Sequence, residues 1–224
     1  MYLSRIHLNL RCNDARRDLA NPYQLHSTLC RAFSPPEKKC PTGAFLWRLE
    51  PELDSRGAPR ILIQSNAPPD WSNLTPNGWL AEADTTIDLK ERLQLDSLTA
   101  GQRFRFRLRA NPCVTRNGKR LGLLKLEDQE AWLERKGESH GFSLPKVQSF
   151  DFSEMSISRI DVSASHAQML RDKQRSDNSI CIFSILFDGF LTVSEPDRFK
   201  KALQKGIGHG KVMGLGLLSV APIT

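Results

Sequence analysis

"SEPDRFKKALQKGIGHGKVMGLGLLSVAP", residues 194–222, runs from a helical pattern through five glycines in eleven positions into an apolar strand. The S-x-x-D opening is a capping pattern, and Gly206 closes the helix. "LGLLSVAP" is a short apolar run of strand length. That helix-before, strand-after order decides how the glycines are read. A Walker loop needs G-x-x-x-x-G-K-[ST]; here Lys205 stands where the first glycine belongs, and Val212 replaces the hydroxyl that would ligate magnesium. A dinucleotide fingerprint follows a strand and opens a helix, and its third glycine position, counted from Gly206, is Lys211. The run is therefore an αβ connection. Positive φ angles explain Gly206 and Gly208, whereas the continuation through Gly210, Gly214 and Gly216 around Lys211 favours close backbone approach to an extended phosphodiester.

Outward from this unit, the same grammar appears twice. "YLSRIHLNL" (2–10) alternates as a half-buried strand. "NPYQLHSTLCRAF" follows, with Asn21 as N-cap, Pro22 at the first helical position, and Leu25, Leu29, Ala32 and Phe33 as an apolar stripe. "AFLWRLEP" and "PRILIQSNAPP" are strands, and residues 70–95 are expected to hold a short helix or loop and then a strand. "DSLTAG" (96–101) is the join. "RFRFRLRA" (103–110) has strict period two, with Phe104, Phe106 and Leu108 on one face and Arg103, Arg105, Arg107 and Arg109 on the other. Asn117-Gly118 marks a hairpin. "LEDQEAWLERKG" is a helix ending at Gly137, and "FDFSEMSISRIDVSA" and "SICIFSILFDGFLTV" are strands flanking a basic excursion at 165–178. The order predicts an α+β fold of two tandem ferredoxin-like (RRM-like) βαββαβ domains, at 1–98 and 101–224.

The 224 residues carry 32 Lys+Arg against 25 Asp+Glu, a formal net charge of +7 that favours a polyanionic partner. Five cysteines, odd in number and without ligand spacing, argue against a disulfide framework or a zinc site and for a reducing compartment. The chain has no signal-peptide pattern and no apolar run of membrane-spanning length, so a cytoplasmic protein without membrane contact is expected.

"KGIGHGKVMGLGLLSVAP" resembles the C-terminal glycine-rich loop of the repeat-associated (RAMP) proteins of CRISPR systems. "YLSRIHL", "NPYQLH" and "FRFRLRANP…RNGKR" narrow the resemblance to the CasE-type CRISPR repeat endoribonucleases, the crRNA-processing subunits of Cascade. The resemblance spans the chain. It implies metal-independent cleavage of precursor RNA at the 3′ base of a repeat stem-loop by 2′-OH attack, giving a 2′,3′-cyclic phosphate, with retention of the crRNA. By motif position it implies His26 as catalytic histidine, Tyr23 beside it, and Lys211 as the loop lysine. The implied partners are the CRISPR repeat RNA hairpin and other Cascade subunits; no cofactor and no metal is implied.

The chemistry is consistent with those residues. RNA supplies its own nucleophile, so the protein must supply proton transfer and positive charge near the phosphorane. Tyr23 and His26 are three apart on one helical flank beside the apolar stripe. The arginine face 103–109 reads either as a track for an RNA backbone or as a solubilising outer face. Arg116, Lys119 and Arg120 in "RNGKR", with Arg171, Lys173 and Arg175 in "MLRDKQR", are expected on turn-like basic projections that contact phosphates across a stem. His209 ranks as a second catalytic candidate; His7, His140 and His166 read as structural. The competing functional reading is a non-catalytic RNA-binding scaffold subunit of a CRISPR complex.

Overall fold

The computed structural model describes residues 1–35, 37–74, 77–150, 156–173 and 179–223. β1 (Tyr2–Leu8) is followed by α1 (Asn13–Ala20), α2 (Pro22–Cys30), β2 (Phe45–Leu49), β3 (Arg60–Ser65), β4 (Leu80–Ala83), β5 (Ile87–Asp88) and α3 (Leu89–Arg92). The strands form an antiparallel sheet in the order β2-β3-β1-β4, with β5 also on β1. That is the βαββαβ order, with its second helix reduced to a 3₁₀ turn at Trp71–Asn73. α2 begins where the sequence places it: the Asn21 side chain accepts from the backbone N–H groups of Tyr23 and Gln24, both at 3.1 Å. α1 is not signalled by apolar periodicity, since it buries only Ala15 and Asp18. The Asp18 carboxylate instead accepts from Thr28 Oγ1 at 2.6 Å and Trp79 Nε1 at 3.0 Å, tying α1 to α2 and to the strand that follows Trp79.

The second half comprises β6 (Arg103–Ala110), β7 (Cys113–Arg116), β8 (Lys119–Gly122), α4 (Leu126–His140), β9 (Phe142–Ser143), β10 (Lys146–Phe150), β11 (Ser156–Ile160), β12 (Val162–Lys173), β13 (Ser179–Val193), α5 (Pro196–Lys205) and β14 (Leu218–Pro222). Its main sheet runs β12-β13-β6-β14, antiparallel throughout, with β9 on β13. Counting β6, β12, β13 and β14 as the four core strands repeats the first unit's order, and the fold is two tandem ferredoxin-like sheets. Two expectations are corrected. α4 continues past Gly137, where a Cβ would lie 2.7 Å from the Phe142 carbonyl oxygen, and ends at Gly141 with φ 78°. Residues 165–173 are strand and not turn: β12 pairs with β13 through Lys173↔Ser179, beyond Ile185, the first β13 residue paired with β6.

β2 joins the two halves. Alternation sends Phe45 and Trp47 to one face and Leu46 and Arg48 to the other. Arg48, 2% exposed, donates from Nη1 to the carbonyls of Arg107 at 3.0 Å and Leu217 at 3.2 Å, and from Nη2 to Ser219 Oγ at 2.9 Å. Glu50 Oε1 takes its remaining charge at 2.7 Å, so a buried cation is paired and hydrogen-bonded as it must be. Leu89, Leu93, Leu95 and Leu98 pack within the core built on β6 and β13.

Candidate active site

α2, β2 and the glycine loop enclose a cleft of about 740 Å³. Tyr23 and His26 line it from α2, and Lys211 lines it from the 3₁₀ turn Lys211–Met213. The three residues expected to act together, distant in sequence, therefore face one space. Lys39 and Lys205 line it as well, and no Asp or Glu among the described residues does. Three ammonium groups without a carboxylate make a site for an anion.

β2 fixes His26. Its ring stacks on Phe45 with centroids 4.9 Å apart, and its Nδ1 accepts from the Trp47 indole Nε1–H at 3.2 Å. Indole nitrogen only donates, so the Nδ1 lone pair is occupied and the neutral ring carries its hydrogen on Nε2. Burial pushes the His26 pKa down to about 4, so the neutral form prevails at pH 7. Tyr23 is 41% exposed at the mouth. Cys30, also in the cleft, is pushed up to about 12 by burial and by Cys40 beside it, and is a thiol wall rather than a nucleophile.

Positive charge continues outside the cleft. His209 is held below its ordinary range by burial first and then by Arg120, Lys136 and Lys211. His140 is lowered by burial, opposed by its hydrogen bond to the Lys136 carbonyl, with the charges of Lys136 and Lys211 adding to the lowering. Arg120 of the β7–β8 hairpin, Lys136 of α4 and Lys211 thus all bring positive charge to the neighbourhood of His209. Arg116 and Lys119 are exposed on the same hairpin, whose Asn117 (φ 50°) and Gly118 (φ 72°) make the turn.

The arginine face of β6 does not act as a unit. Arg103 and Arg105 are exposed, but they lie toward the strand end away from the glycine loop, whose Gly216 N–H bonds the Arg109 carbonyl at 2.8 Å. At about 3.3 Å per residue, Arg103 stands about 20 Å from Arg109. Arg107 is not free for phosphate: its guanidinium binds Glu50 at 2.8 Å, Glu52 at 3.0 Å and Asp188 at 2.7 Å. Arg109 is 7% exposed and lines a second cavity together with Trp47 and Glu50 of the first half and Met213 and Gly214 of the glycine loop. Arg171 is exposed on β12, Lys173 lies in the same strand, and Arg175 falls outside the described residues.

The loop glycines pack closely against the protein itself. All five have positive φ, and a Cβ at Gly206 would lie 2.9 Å from Leu46, at Gly214 2.8 Å from the Trp47 ring, and at Gly216 2.7 Å from the Ile207 carbonyl. This packing accounts for Gly214 and Gly216 on the protein side, whereas at Gly210 a Cβ would meet only the end of the Leu215 side chain, at 2.9 Å. Lys39, Lys136, Lys205, Phe45 and Trp47 were not singled out in the sequence. The two aromatics carried a signal, their shared parity in "FLWRL"; the lysines lie in a coil, on a helix face and at a helix end.

The whole-chain comparisons agree with this geometry. A family model described as CRISPR associated protein matches residues 1–222. The CRISPR-associated endoribonuclease Cse3 of Thermus thermophilus is 37% identical over 99% of this chain and all of that protein. The Cascade subunit CasE of Escherichia coli is 28% identical over the full length of both. A solved structure of Thermus thermophilus Cse3 bound to an RNA representing a pre-cleavage complex superposes with a TM-score of 0.77 at 35% identity, covering 99% of this chain and 98% of that one. With the expected cleft residues gathered in one place and both sheets matched end to end, the chain belongs to the CRISPR associated protein family, in its CasE (Cse3) group.

Proposed function

We propose that this protein is the endoribonuclease that cuts CRISPR precursor RNA at the 3′ base of each repeat stem-loop and keeps the product as a Cascade subunit. The observation that carries the reading is the cleft itself: one neutral histidine and three lysines, with no carboxylate among the described residues to repel a phosphate. The first domain (1–98) supplies α2 with Tyr23 and His26, and the second (101–224) supplies Lys211. In the reaction the 2′-oxygen forms a bond to the adjacent phosphorus and gives its proton to solvent, the bond to the 5′-oxygen breaks and that oxygen takes a proton from solvent, and the products are a 2′,3′-cyclic phosphate and a 5′-hydroxyl. Lys211, with Lys39 and Lys205, holds the charge that grows on the phosphorane oxygens. His26 presents Nε2–H as a hydrogen-bond donor to the phosphate or to the departing 5′-oxygen. In that tautomer it has no free lone pair with which to take the 2′-OH proton, so a general-base role requires the Trp47 bond to open. The Tyr23 hydroxyl positions the ribose. Arg120 and Lys136, with Arg116 and Lys119, track the stem by its phosphates. No helix among the described residues is long and apolar enough to cross a membrane, and we place the protein in the cytoplasm with its RNA.

Incubating the protein with the repeat RNA of its own locus in EDTA, then mapping the product ends, tests the reading. One cut at the stem base with a cyclic phosphate is expected, and His26→Ala is expected to bind the RNA but cut it at least a hundredfold more slowly. Intact RNA after incubation with the wild type, or full cleavage by His26→Ala, overturns it.

A further inference from the structure

A second cavity, of about 480 Å³, lies on the other side of the seam between α2 and the glycine loop. α2 turns Tyr23 and His26 toward the first cleft and Pro22 and Leu25 toward this one; the loop turns Lys211 toward the first and Met213 toward this one. Trp47, whose indole holds His26, forms part of the second wall.

Arg109 lines this cavity and differs from its neighbours on the sheet interface. Arg48 spends its guanidinium on Glu50, two carbonyls and a hydroxyl, and Arg107 spends its own on Glu50, Glu52 and Asp188. Arg109 is 7% exposed, and its Nε–H has no partner. Its guanidinium makes no hydrogen bond to a described residue, and the nearby Glu50 is already bonded to both other arginines. A buried cationic donor without an acceptor is unfavourable in the free protein, and such a group persists where something else supplies the acceptor. The rim is also specialised. β12 breaks register with β13 between Ser165 and Gln168, and His166 there sits at φ 51°, a backbone conformation uncommon for a non-glycine residue. The bulge brings His166 and Gln168 to the cavity edge. Glu50 also lines the cavity, its carboxylate held by Arg48 and Arg107, and apolar side chains form most of the remaining wall, a composition suited to a flat aromatic group with a few directed polar contacts.

We propose that this cavity takes one unpaired nucleotide of the RNA next to the cleaved bond, with its base on the apolar wall and a hydrogen-bond acceptor on Arg109. The acceptor is a base-edge atom or a phosphate oxygen of that nucleotide, and Gln168 on the rim adds a second contact. The inference rests on RNA as the ligand of the first cleft. It goes beyond that reading by giving the protein a contact to sequence outside the stem, since arginine pairs well with acceptor-rich base edges. The volume falls within the range of sites that hold molecules of nucleotide size.

The test compares the full-length protein with Arg109→Met and Gln168→Ala, using two RNAs at fixed salt. One is the bare stem-loop; the other carries four unpaired nucleotides on each side of the cleavage position, with a 2′-deoxy sugar there to block cutting. For the wild type, the flanked RNA is expected to bind about tenfold more tightly than the bare one, and in Arg109→Met that ratio is expected to fall to about one. Gln168→Ala, at an exposed position, is expected to lower the ratio about threefold, and it serves if Arg109→Met does not fold. A series of abasic substitutions along the flank separates the two acceptors: loss of the gain at one position assigns the base, and an undiminished gain assigns its phosphate. Arg109→Met is further expected to raise the melting temperature, because the unpartnered buried charge is gone. A wild-type ratio near one, or a ratio unchanged in both variants, overturns the inference while leaving RNA cleavage intact. Failure of the wild type to bind either RNA overturns the functional reading along with it.

Discussion

Trp47 Nε1–H donates to His26 Nδ1 at 3.2 Å, and this bond determines which nitrogen of the histidine can meet RNA. With Nδ1 occupied, the hydrogen of the neutral ring sits on Nε2. Trp47→Phe keeps an aromatic ring in the same packing but deletes the donor, so both tautomers become accessible. Imidazole ¹⁵N shifts are expected to move from a single Nε2–H pattern to a mixture. Cleavage is expected to slow about tenfold with RNA affinity within about twofold, the size of one lost hydrogen bond. An unchanged ¹⁵N pattern, or an unchanged rate, would remove Trp47 from the mechanism.

The same burial sets a pH response. His26 has a folded-state pKa near 4, below the unfolded value of about 6.5. Between those two values the unfolded chain holds more protons than the folded one, so stability falls as pH falls through this window. Above about pH 6.5 the contribution is complete. Replacing His26 with Asn is expected to flatten that part of the stability curve, measured by denaturant titration from pH 4 to 7. In the free protein, the His26 ring is expected to titrate near pH 4 by NMR. A bound phosphodiester, by stabilising the cation, is expected to raise that midpoint. A free-protein midpoint near 6.5 would show that the ring is solvated and not held against Phe45 and Trp47.

Two cations read alike in the sequence should part company in salt titrations. Lys211→Ala is expected to weaken RNA binding and to reduce the slope of log affinity against log salt by about one. Arg107→Ala is expected to leave that slope unchanged, because its guanidinium serves Glu50, Glu52 and Asp188. It should instead destabilise the fold by about 1–3 kcal/mol, since three carboxylates lose their shared partner. An equal loss of slope in both variants would return Arg107 to the RNA surface.

What the sequence made legible follows from how local each determinant is. The N-cap at Asn21, the alternation at 103–110 and the hairpin at Asn117-Gly118 are decided by neighbours within a few residues, and all three stand in the structure. α1 was invisible because its reason for folding is one buried carboxylate, Asp18, satisfied by Thr28 and by Trp79 61 positions away. Period two could place Arg107 and Arg109 on the same face but could not reveal that the first sheet covers that face. Helix and motif single out His26 in the sequence; the state of its ring is set by Trp47 on β2, and no pattern within α2 contains that information.

Gly214 shows how the glycine run supports the cleft by packing against Trp47. Its φ is 77°, and an added Cβ would stand 2.8 Å from the Trp47 ring, which holds His26. Gly57 has nearly the same φ, 76°, with nothing within 4 Å of its Cβ position. Both alanine variants bear the cost of a left-handed alanine, about 1 kcal/mol. Only Gly214→Ala must also displace an indole buried to 2% exposure, at a further cost of about 1–3 kcal/mol. The difference between the two denaturation midpoints therefore isolates the packing term. If Trp47 positions His26, Gly214→Ala should also slow cleavage and disturb the His26 ¹⁵N pattern, whereas Gly57→Ala should change neither. Equal effects of the two substitutions on rate would mean that the loop acts through general stability and that the contact from Gly214 through Trp47 to His26 carries nothing to the cleft.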